Sequence, residues 1–363
     1  MQPAFHYQES QFARAFAILR DAVVQQAFPG AALAVTHSGA LIASQGFGHF
    51  IYDSSSPAVQ AATIFDLASV TKVVATTTMA MLLYERGLLD LDAPVFELLP
   101  EFISNLTSDQ NSERRRVTIR MLLDHSSGLP AYLKLFESTR TREEMLRGAY
   151  ATPLVAPPGS KTDYSDIGFI LLGRILERVA RESLDAFCRR EIFAPLNMQQ
   201  TMFNPPIDLE AAIPPTEDDR TFRLRIIEGE VNDENCYVMG GVAGHAGLFA
   251  PATDVARFAE CMLRGGAPIF HSATVALFTR REAFPADTSR ALGWDTPSQP
   301  SSSGRHFSPR SFGHLGYTGT SLWIDPDHQL SVTLLTNRTW PDRASQAIKQ
   351  VRSLVHDAIV EAL

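Results

Sequence analysis

Apolar residues recur every three or four positions along several stretches of this 363-residue chain, with polar residues between them. This spacing is typical of amphipathic helices. It predicts long helices over residues 8–26, 70–86, 167–179, 254–263 and 342–363, and a short one over 118–123. Short apolar and β-branched runs bounded by turn residues are instead typical of strands. They predict strands over residues 31–36, 41–46, 320–324 and 330–335.

The predicted strands lie near the two ends of the chain, and most of the predicted helices lie between them. This order predicts an α+β fold in which both ends contribute strands to one sheet. We therefore predict an α/β domain built from residues 1–68 and 291–363. Residues 69–290 would form a mostly helical domain, with a functional site at the interface between the two.

The composition agrees with one large core or two medium ones, because 45% of the residues are hydrophobic. The formal net charge is −8, and the one dense basic run is Arg114-Arg115-Arg116. On an acidic chain, a single short run is interpreted as a solvated lead-in to a helix, and no nucleic-acid partner is predicted. The three cysteines are widely spaced and odd in number, which favours buried small residues over ligands or disulfides.

Targeting and cofactor signals are sparse. No run approaches 18 consecutive apolar residues, so no membrane span is predicted. The amino terminus lacks the basic start and apolar run of a signal peptide, which predicts a cytoplasmic protein, or a periplasmic one if a leader has been removed. Neither a Walker A motif nor G-x-G-x-x-G is present, so no cofactor is predicted. Nothing in the sequence indicates the oligomeric state.

Ser69 and Lys72 stand three residues apart at the start of the predicted helix 70–86. Residues at this spacing share one helix face, so the hydroxyl and the ammonium can meet. The plain alternative is a helix-capping serine with a solvated lysine. Only four of the 32 basic residues are lysines, and this scarcity leaves on the order of 0.3 chance matches to Ser-x-x-Lys.

The chemistry of such a pair is that of an activated nucleophile. A hydroxyl needs a neighbouring base at neutral pH. The flanking Val73 and Val74 predict that Lys72 is partly desolvated, which would lower its pKa and let it act as that base. Arginine could not take this role, because it stays charged at any useful pH.

Three short motifs carry a resemblance to a known family. Ser69-Val70-Thr71-Lys72, Tyr164-Ser165-Asp166 and His314-Leu315-Gly316 occur in the order of the S-x-x-K, S-D-N and K-T-G motifs. The chain thus resembles serine β-lactamases and penicillin-binding proteins, and the tyrosine of its second motif resembles the class C branch. That branch includes class C β-lactamases, D,D-carboxypeptidases, D-aminopeptidases and β-lactamase-like esterases. The segments 122–130 and 316–326 extend the resemblance.

The resemblance implies a β-lactamase/transpeptidase-like fold, with an antiparallel sheet flanked by helices and an inserted all-helical domain. It implies that Ser69 is the nucleophile and Lys72 its activating partner. Tyr164 would move a proton to the leaving group and then activate the hydrolytic water. The backbone N–H groups of Ser69 and Tyr317 would form the oxyanion hole. On the bare sequence, Tyr164 could equally be a core aromatic with a satisfied hydroxyl.

Two positions depart from the family's pattern. Asp166 stands where the second motif usually has asparagine, and His314 stands where β-lactamases usually have lysine. Together with Gly316, these residues are expected to contact the substrate. The departures therefore bear on which substrate is accepted more than on whether the site is active.

Two further groups contain chemistry-bearing residues. His245, in Gly244-His245-Ala246-Gly247, follows Asp233 and could suggest a metal, but no second histidine stands at ligand spacing. A structural histidine near the cleft is favoured, and no metal site is predicted. Asp124-His125-Ser126 contains the residue types of a triad, although triads assemble in space and adjacent residues rarely converge.

The sequence as a whole predicts a metal-independent serine hydrolase that works through acylation of Ser69. Its substrate would be a small ester or amide, as for a β-lactamase-related esterase or a D-amino-acid peptidase. A β-lactamase or penicillin-binding carboxypeptidase is one alternative. The other is a sensor that is acylated without turnover, although a pure binder need not retain Tyr164.

Overall fold

The computed structural model describes residues 2–103 and 112–363. Met1 and residues 104–111 fall within the two predicted domain ranges and lie outside the described residues. The strands are β1 (Gln2–Pro3), β2 (Gly30–His37), β3 (Ala40–Gly48), β4 (Ile64–Asp66), β5 (Met202–Phe203), β6 (Glu217–Asp219), β7 (Arg225–Ile227), β8 (Leu248–Pro251), β9 (Phe312–Leu315), β10 (Ser321–Asp325) and β11 (Leu330–Thr336).

The predicted helical stretches are recovered with three revisions, one of which is that residues 8–26 form two helices separated at Phe12. The α-helices are α1 (Gln8–Gln11), α2 (Ala13–Val24), α3 (Thr78–Glu85), α4 (Val95–Leu98), α5 (Ile119–Leu123), α6 (Arg142–Ala151), α7 (Asp166–Ala180), α8 (Leu184–Cys188), α9 (Glu234–Val238), α10 (Ala252–Leu263), α11 (Ser272–Thr279) and α12 (Ile348–Val360). The stretch predicted as one helix over 70–86 is a 3₁₀ turn, Ala68–Val70, a π-helical segment, Lys72–Thr77, and then α3. The closing helix begins at Ile348, six residues later than predicted.

Strands from both ends of the chain form one six-stranded sheet in the order β1-β3-β2-β11-β10-β9. Its central pair is antiparallel, with Val35 of β2 opposite Val332 of β11. All neighbouring strands are antiparallel except β1 and β3, so the sheet is mixed at one edge. The prediction of one sheet assembled from the two ends is confirmed.

Helices cover both faces of this sheet, which explains the nearly continuous burial of β2 and β11. Leu33 and Val35 face the core formed with α2 and α12. Ala32 and Ala34, on the opposite face, belong to the larger core that includes α10. The alanines leave room for a helix to approach the sheet closely.

The middle of the chain is organised around α7, which is buried on nearly all sides. The Ser165 side chain begins this helix by accepting a hydrogen bond of 3.0 Å from the Gly168 N–H, as an N-cap residue should. The middle segment, expected to be all-helical, also contains short strands. β5 and β8 of this segment form a three-stranded sheet with β4, which precedes it, and β6 pairs with β7.

The basic run 114–116 departs from its interpretation as wholly solvated. Arg114 is only 1% exposed. Its guanidinium donates to the carbonyl oxygens of Phe102, Tyr150 and Thr152, and it lies 4.3 Å from the centre of the Phe102 ring. Burial lowers the pKa of Arg114 to about 10. Backbone carbonyls from two segments replace the water that Arg114 loses on burial. Arg114 therefore has a structural function, because it holds these two segments together.

All three cysteines are free and buried, as predicted. In the described ranges, no helix combines the length and apolar character needed to cross a bilayer.

A buried histidine on α12 gives a prediction for stability. Burial lowers the pKa of His356 from 6.5 to about 4. The unfolded chain therefore takes up a proton near pH 6.5 while the folded chain resists it, so stability is lost as the pH falls from 6.5 towards 4. Since one pH unit corresponds to about 1.4 kcal/mol, the loss reaches about 3 kcal/mol at pH 4.

Urea unfolding of the wild type and His356→Gln at several pH values measures this effect. The free energy of unfolding of the wild type should fall relative to that of the variant across this range. Groups that titrate in both proteins, such as Asp66 and Asp124, cancel in the comparison. The exposed His6 provides the matched control, His6→Gln. A difference between wild type and His356→Gln that does not change with pH would contradict the assignment.

Candidate active site

Ser69 lies in a strained turn that follows the end of β4. Ala68 has a positive φ of 46°, which is unfavourable for a residue with a Cβ. The Asp66 carboxylate holds this turn by accepting from the Ala68 N–H at 2.8 Å and from the Asn232 N–H at 2.7 Å. The Leu67 N–H donates to the Leu248 carbonyl at 2.9 Å. The position of Ser69 is thereby anchored to two distant segments of the chain.

Asp66 is a site residue that the sequence reasoning missed. It is 2% exposed, and burial raises the pKa of its carboxyl to about 6. Its only sequence signal is its position three residues before Ser69. Its contact with the Ala68 N–H is local, whereas its contact with the Asn232 N–H depends on tertiary structure, so its full function in holding the turn becomes visible only in the fold.

Lys72 meets Ser69 as the spacing of the motif predicts. The ammonium is completely buried and donates to Ser69 Oγ at 2.9 Å. It also donates to Asp166 Oδ1 at 2.6 Å and to the His245 carbonyl oxygen at 2.9 Å. Three acceptors thus satisfy all three hydrogens of the ammonium. The alternative of a solvated lysine is wrong.

The charge state of Lys72 differs from the expectation. Burial alone would lower the pKa of the ammonium, but the negative charge and hydrogen bond of Asp166 oppose this effect, as does the neighbouring Tyr164 hydroxyl. The net shift of the Lys72 pKa is upward. The prediction of a lowered pKa is therefore wrong, because the sequence-based argument considered desolvation without the partner carboxylate.

Tyr164 completes the group around Ser69. Its hydroxyl interacts with both Lys72 and Ser69, and Lys72 Nζ lies 4.9 Å from the centre of its ring. Burial raises the pKa of the Tyr164 phenol, while the charge of Lys72 partly counteracts this rise. The phenol is therefore neutral around pH 7. Tyr164 is partly exposed and faces the other site residues, unlike a tyrosine that only fills the core.

His314, on β9, is a neutral imidazole beside Tyr164. The two ring centres are 5.9 Å apart. Burial lowers the His314 pKa well below its ordinary value, and the charges of Lys72 and Arg290 add to this effect. Nδ1 lies 2.8 Å from the Leu315 carbonyl, so it carries the proton. Nε2 is then an acceptor, and within the described part of the chain it has no hydrogen-bond partner.

The loop from Gly316 to Thr320 is held directly against the turn before Ser69. Thr318 Oγ1 donates to the Asp66 carbonyl at 2.9 Å, and Thr320 Oγ1 donates to the Leu67 carbonyl at 2.9 Å. A Cβ on Gly316 would lie 1.9 Å from Thr320 Oγ1 and 2.5 Å from the Leu67 oxygen. Glycine is therefore needed for this close approach, and a contact of Gly316 with substrate stays a prediction.

Tyr317 has a free backbone donor next to this contact. Its carbonyl accepts from Arg338 Nε at 2.7 Å, whereas none of the described residues accepts a hydrogen bond from its N–H. Its side chain is half exposed and packs on the guanidinium groups of Arg338 and Arg343. This geometry is compatible with the oxyanion function, which stays a prediction.

His245 contacts the site through its main chain. Its carbonyl accepts from Lys72, while Nε2 of its ring lies 2.8 Å from Asp233 Oδ1. The same carboxylate caps α9 by accepting from the Cys236 N–H. A structural histidine near the cleft, the favoured interpretation, is confirmed. Across residues 2–103 and 112–363, no group of three or more potential ligands could hold a metal ion.

Asp124, His125 and Ser126 do not form a triad. Asp124 accepts from the Ser126 N–H at 2.9 Å, and His125 Nδ1 accepts from the Ser165 N–H at 3.0 Å. His125 instead supports Tyr164, because their ring centres are 4.7 Å apart.

Arg290 is a second site residue that the sequence reasoning missed. Its guanidinium carbon lies 5.4 Å from the centre of the Tyr164 ring. No local motif marks it. Its charge contributes to lowering the pKa values of both His125 and His314, so it is electrostatically part of the cleft.

Comparisons with known proteins bear on the family and the fold. The chain matches the Beta-lactamase family model over residues 14–356. It is 33% identical over 347 residues to the N-acetylmuramyl-L-alanine amidase of Bacillus subtilis (strain 168), covering 86% of this chain and 77% of that protein. It is 35% identical over 308 residues to a Salmonella agona (strain SL483) protein named "Putative D-alanyl-D-alanine carboxypeptidase", covering 76% and 69% of the two chains.

A solved structure, "EstCE1, a hydrolase with promiscuous acyltransferase activity", has the same fold. The TM-score is 0.77 at 23% sequence identity, and the match covers 97% of this chain and 99% of that one.

The contact between Asp166 and Lys72 gives a prediction for pH dependence. The Asp166 charge contributes to raising the pKa of both Lys72 and Tyr164. Asp166→Asn keeps an oxygen that can accept from Lys72 but removes this charge, so both pKa values should fall. The ionisation on the alkaline side of the kcat/KM profile for a neutral ester should then move to lower pH.

Asp163→Asn is the matched control, since Asp163 pairs with the exposed Lys161. Its profile should coincide with that of the wild type. An unchanged midpoint in Asp166→Asn would show that the carboxylate does not govern the ionisation of the Lys72–Tyr164 pair.

Proposed function

We propose that this chain, which belongs to the β-lactamase family, cleaves a small amide or ester through an acyl-enzyme at Ser69. The observation that carries the proposal is the 2.9 Å contact between Ser69 Oγ and Lys72 Nζ, next to the Tyr164 hydroxyl. A serine hydroxyl beside a buried cation and a phenol that can relay its proton is an arrangement that supports nucleophilic catalysis.

Acylation begins with a proton shuttle through Tyr164. Lys72 is charged and donates to Ser69 Oγ, so the hydroxyl hydrogen of Ser69 is free to point at Tyr164. As Oγ bonds to the substrate carbonyl carbon, the Ser69 proton passes to the phenol oxygen. The phenol's own proton passes to the leaving nitrogen or oxygen, and the bond to the leaving group then breaks. A neutral phenol suits this exchange, because it donates and accepts together.

Deacylation reverses these steps with water in the place of the leaving group. Water attacks the acyl carbon and gives a proton to Tyr164, which returns one to Ser69 Oγ. The Lys72 charge stabilises the negative charge that develops on Ser69, and the N–H groups of Ser69 and Tyr317 are proposed to stabilise the carbonyl oxygen. No group changes its net charge over the full cycle.

The proposed substrate is an amide of a small peptide or N-acyl amino acid, with simple esters as surrogates. Support comes from the relatives, which carry the names of an amidase and a carboxypeptidase. The neutral His314 supports a substrate other than a β-lactam, because it lacks the permanent charge of the lysine that β-lactamases place in the third motif.

Covalent labelling tests the nucleophile. A fluorophosphonate should add one mass equivalent to the peptide that contains Ser69, and Ser69→Ala should neither be labelled nor turn over a nitrophenyl ester. Ser160→Ala is the matched control, because the exposed Ser160 hydroxyl bonds to the Pro157 carbonyl. An adduct at another residue, or full activity in Ser69→Ala, would refute the mechanism.

The same ester assay separates an enzyme from a sensor. Steady turnover after the first equivalent of nitrophenol supports the hydrolase. Release of one equivalent of nitrophenol with no further release would instead support acylation without turnover.

The substrate preference gives a separate prediction. Asp166 can only accept hydrogen bonds, and His314 is neutral, so both residues weaken the binding of an anionic, carbonyl-bearing β-lactam. The double change Asp166→Asn with His314→Lys should therefore raise kcat/KM for nitrocefin relative to that for a neutral nitrophenyl ester. We expect a change of about tenfold, the size of one charged hydrogen bond.

Each single variant serves as a control, and circular dichroism shows whether the buried lysine permits folding. A wild type that already prefers nitrocefin, or a ratio that moves the opposite way in a folded double variant, would contradict this account of selectivity.

A further inference from the structure

The peptide group between Gly316 and Tyr317 ends in the Tyr317 N–H on one side and in the Gly316 carbonyl on the other. This peptide bond is trans, so the carbonyl and the N–H point in opposite directions. The groups that hold the Gly316 oxygen therefore also set the direction of the Tyr317 N–H. Two donors hold this oxygen: the Gly319 N–H at 3.1 Å, across a tight turn, and Nη2 of Arg352, on α12, at 3.1 Å.

Arg352 reaches the turn from the interior of the protein. Only 5% of the residue is exposed, and its Nη2 also donates to the Thr320 carbonyl at 2.8 Å. The Thr320 carbonyl accepts from the Gly316 N–H at 2.7 Å, so Arg352 bonds to both ends of the turn. Burial lowers the pKa of the Arg352 guanidinium to about 9, and the charge of Arg338 contributes to this shift. The guanidinium is still charged at pH 7.

The buried charge of Arg352 has no counter-ion. Across residues 2–103 and 112–363, no carboxylate forms an ion pair with it, and Asp357 on the same helix pairs with Arg305 instead. A buried cation without an anionic partner is unfavourable for stability. The carbonyls of Gly316 and Thr320 already accept from backbone N–H groups, so the turn closes without Arg352. Such a costly charge is typical of functional sites.

A charged donor at the carbonyl changes the N–H at the other end of the peptide group. It draws electron density towards the oxygen, which makes the N–H more positive and a stronger donor. None of the described residues accepts a hydrogen bond from the Tyr317 N–H. The turn is also bonded to the Leu67 carbonyl, two residues before Ser69. Arg338 serves a different peptide group, because it donates to the Tyr317 carbonyl at 2.7 Å.

We propose that Arg352 is a positioning residue that orients and polarises the Gly316–Tyr317 peptide group towards the oxyanion. The inference rests on the proposed function, in which the N–H groups of Ser69 and Tyr317 stabilise the carbonyl oxygen as it becomes negative. Arg352 is buried behind the turn and acts through the peptide group, as a fixed charge that is in place before the reaction. Its effect is largest where the oxygen carries most charge, so it should change kcat more than KM.

Two esters that differ in one atom test this inference. In the thiono analogue of 4-nitrophenyl butyrate, sulfur replaces the carbonyl oxygen and is a weaker hydrogen-bond acceptor. In Arg352→Met, kcat for the oxygen ester should fall about tenfold, less than the about 10²- to 10³-fold loss that follows removal of an oxyanion donor. KM for this ester and kcat for the thiono ester should stay within about threefold. Arg352→Lys keeps the charge and should restore part of the ratio between the two esters.

The controls separate polarisation from general support of the turn. Lys349→Met removes one positive charge from the exposed side of α12 and should leave the ester ratio unchanged. Arg338→Met removes the donor to the Tyr317 carbonyl. If it lowers the ratio as much as Arg352→Met does, the Gly316 carbonyl is not responsible and the inference is wrong. An equal loss for both esters in the Arg352 variants would also overturn it, because a smaller folded fraction reduces both rates alike. Arg352→Gln takes the place of Arg352→Met if the latter does not fold.

A spectroscopic measurement separates this inference from the proposed function. Labelling the eight tyrosines with ¹⁵N, with Tyr317→Phe for the assignment, reports on the Tyr317 amide directly. In Arg352→Met the Tyr317 ¹⁵N signal should move upfield, because the peptide group is less polarised, while that of Tyr150, which is bonded to Arg114, stays in place. An unmoved Tyr317 signal would overturn the inference. Absence of Ser69-dependent hydrolysis would refute the proposed function, and the Tyr317 signal would then decide the inference alone.

Discussion

The buried ion pair between Lys72 and Asp166 is the interaction on which the rest of the site depends. Removing an ammonium from water costs several kcal/mol unless acceptors replace the lost hydration. Here the acceptors come from three parts of the chain: the turn at Ser69, the start of α7 at Asp166, and the loop carbonyl of His245. Correct packing of all three is therefore a condition for burying Lys72, and a displaced segment would leave a charge unsatisfied.

Strand pairing and side-chain hydrogen bonds to backbone carbonyls fix the turn before Ser69 between the sheet and the middle segment. β4 pairs with β8, and the loop after β9 bonds through Thr318 and Thr320 to the carbonyls before Ser69. The strained φ of Ala68 persists because Asp66 and these contacts over-determine the turn. Ser69 is thus positioned through its main chain, by contacts that do not use its hydroxyl.

The helices and site residues that could be predicted are those marked by a local sequence pattern. Helical periodicity located α2, α7 and α10, and ordered motifs brought Ser69, Lys72 and Tyr164 together. The missed features depend on distant partners: Asp66 contacts Asn232, and Arg114 donates hydrogen bonds to backbone carbonyls of two other segments. The predicted direction of the Lys72 pKa shift is wrong for the same reason, because the shift depends on the carboxylate of Asp166, 94 residues along the chain.

The charges near Ser69 can be compared with those that the family's usual motifs would supply. An asparagine in the second motif and a lysine in the third would leave two uncompensated cations, one at each side of the nucleophile. In this chain Asp166 cancels the first and a neutral His314 removes the second. Arg290 supplies one positive charge from a segment outside the motifs. The positive potential near Ser69 therefore lies at the edge of Tyr164 and not on the third-motif strand.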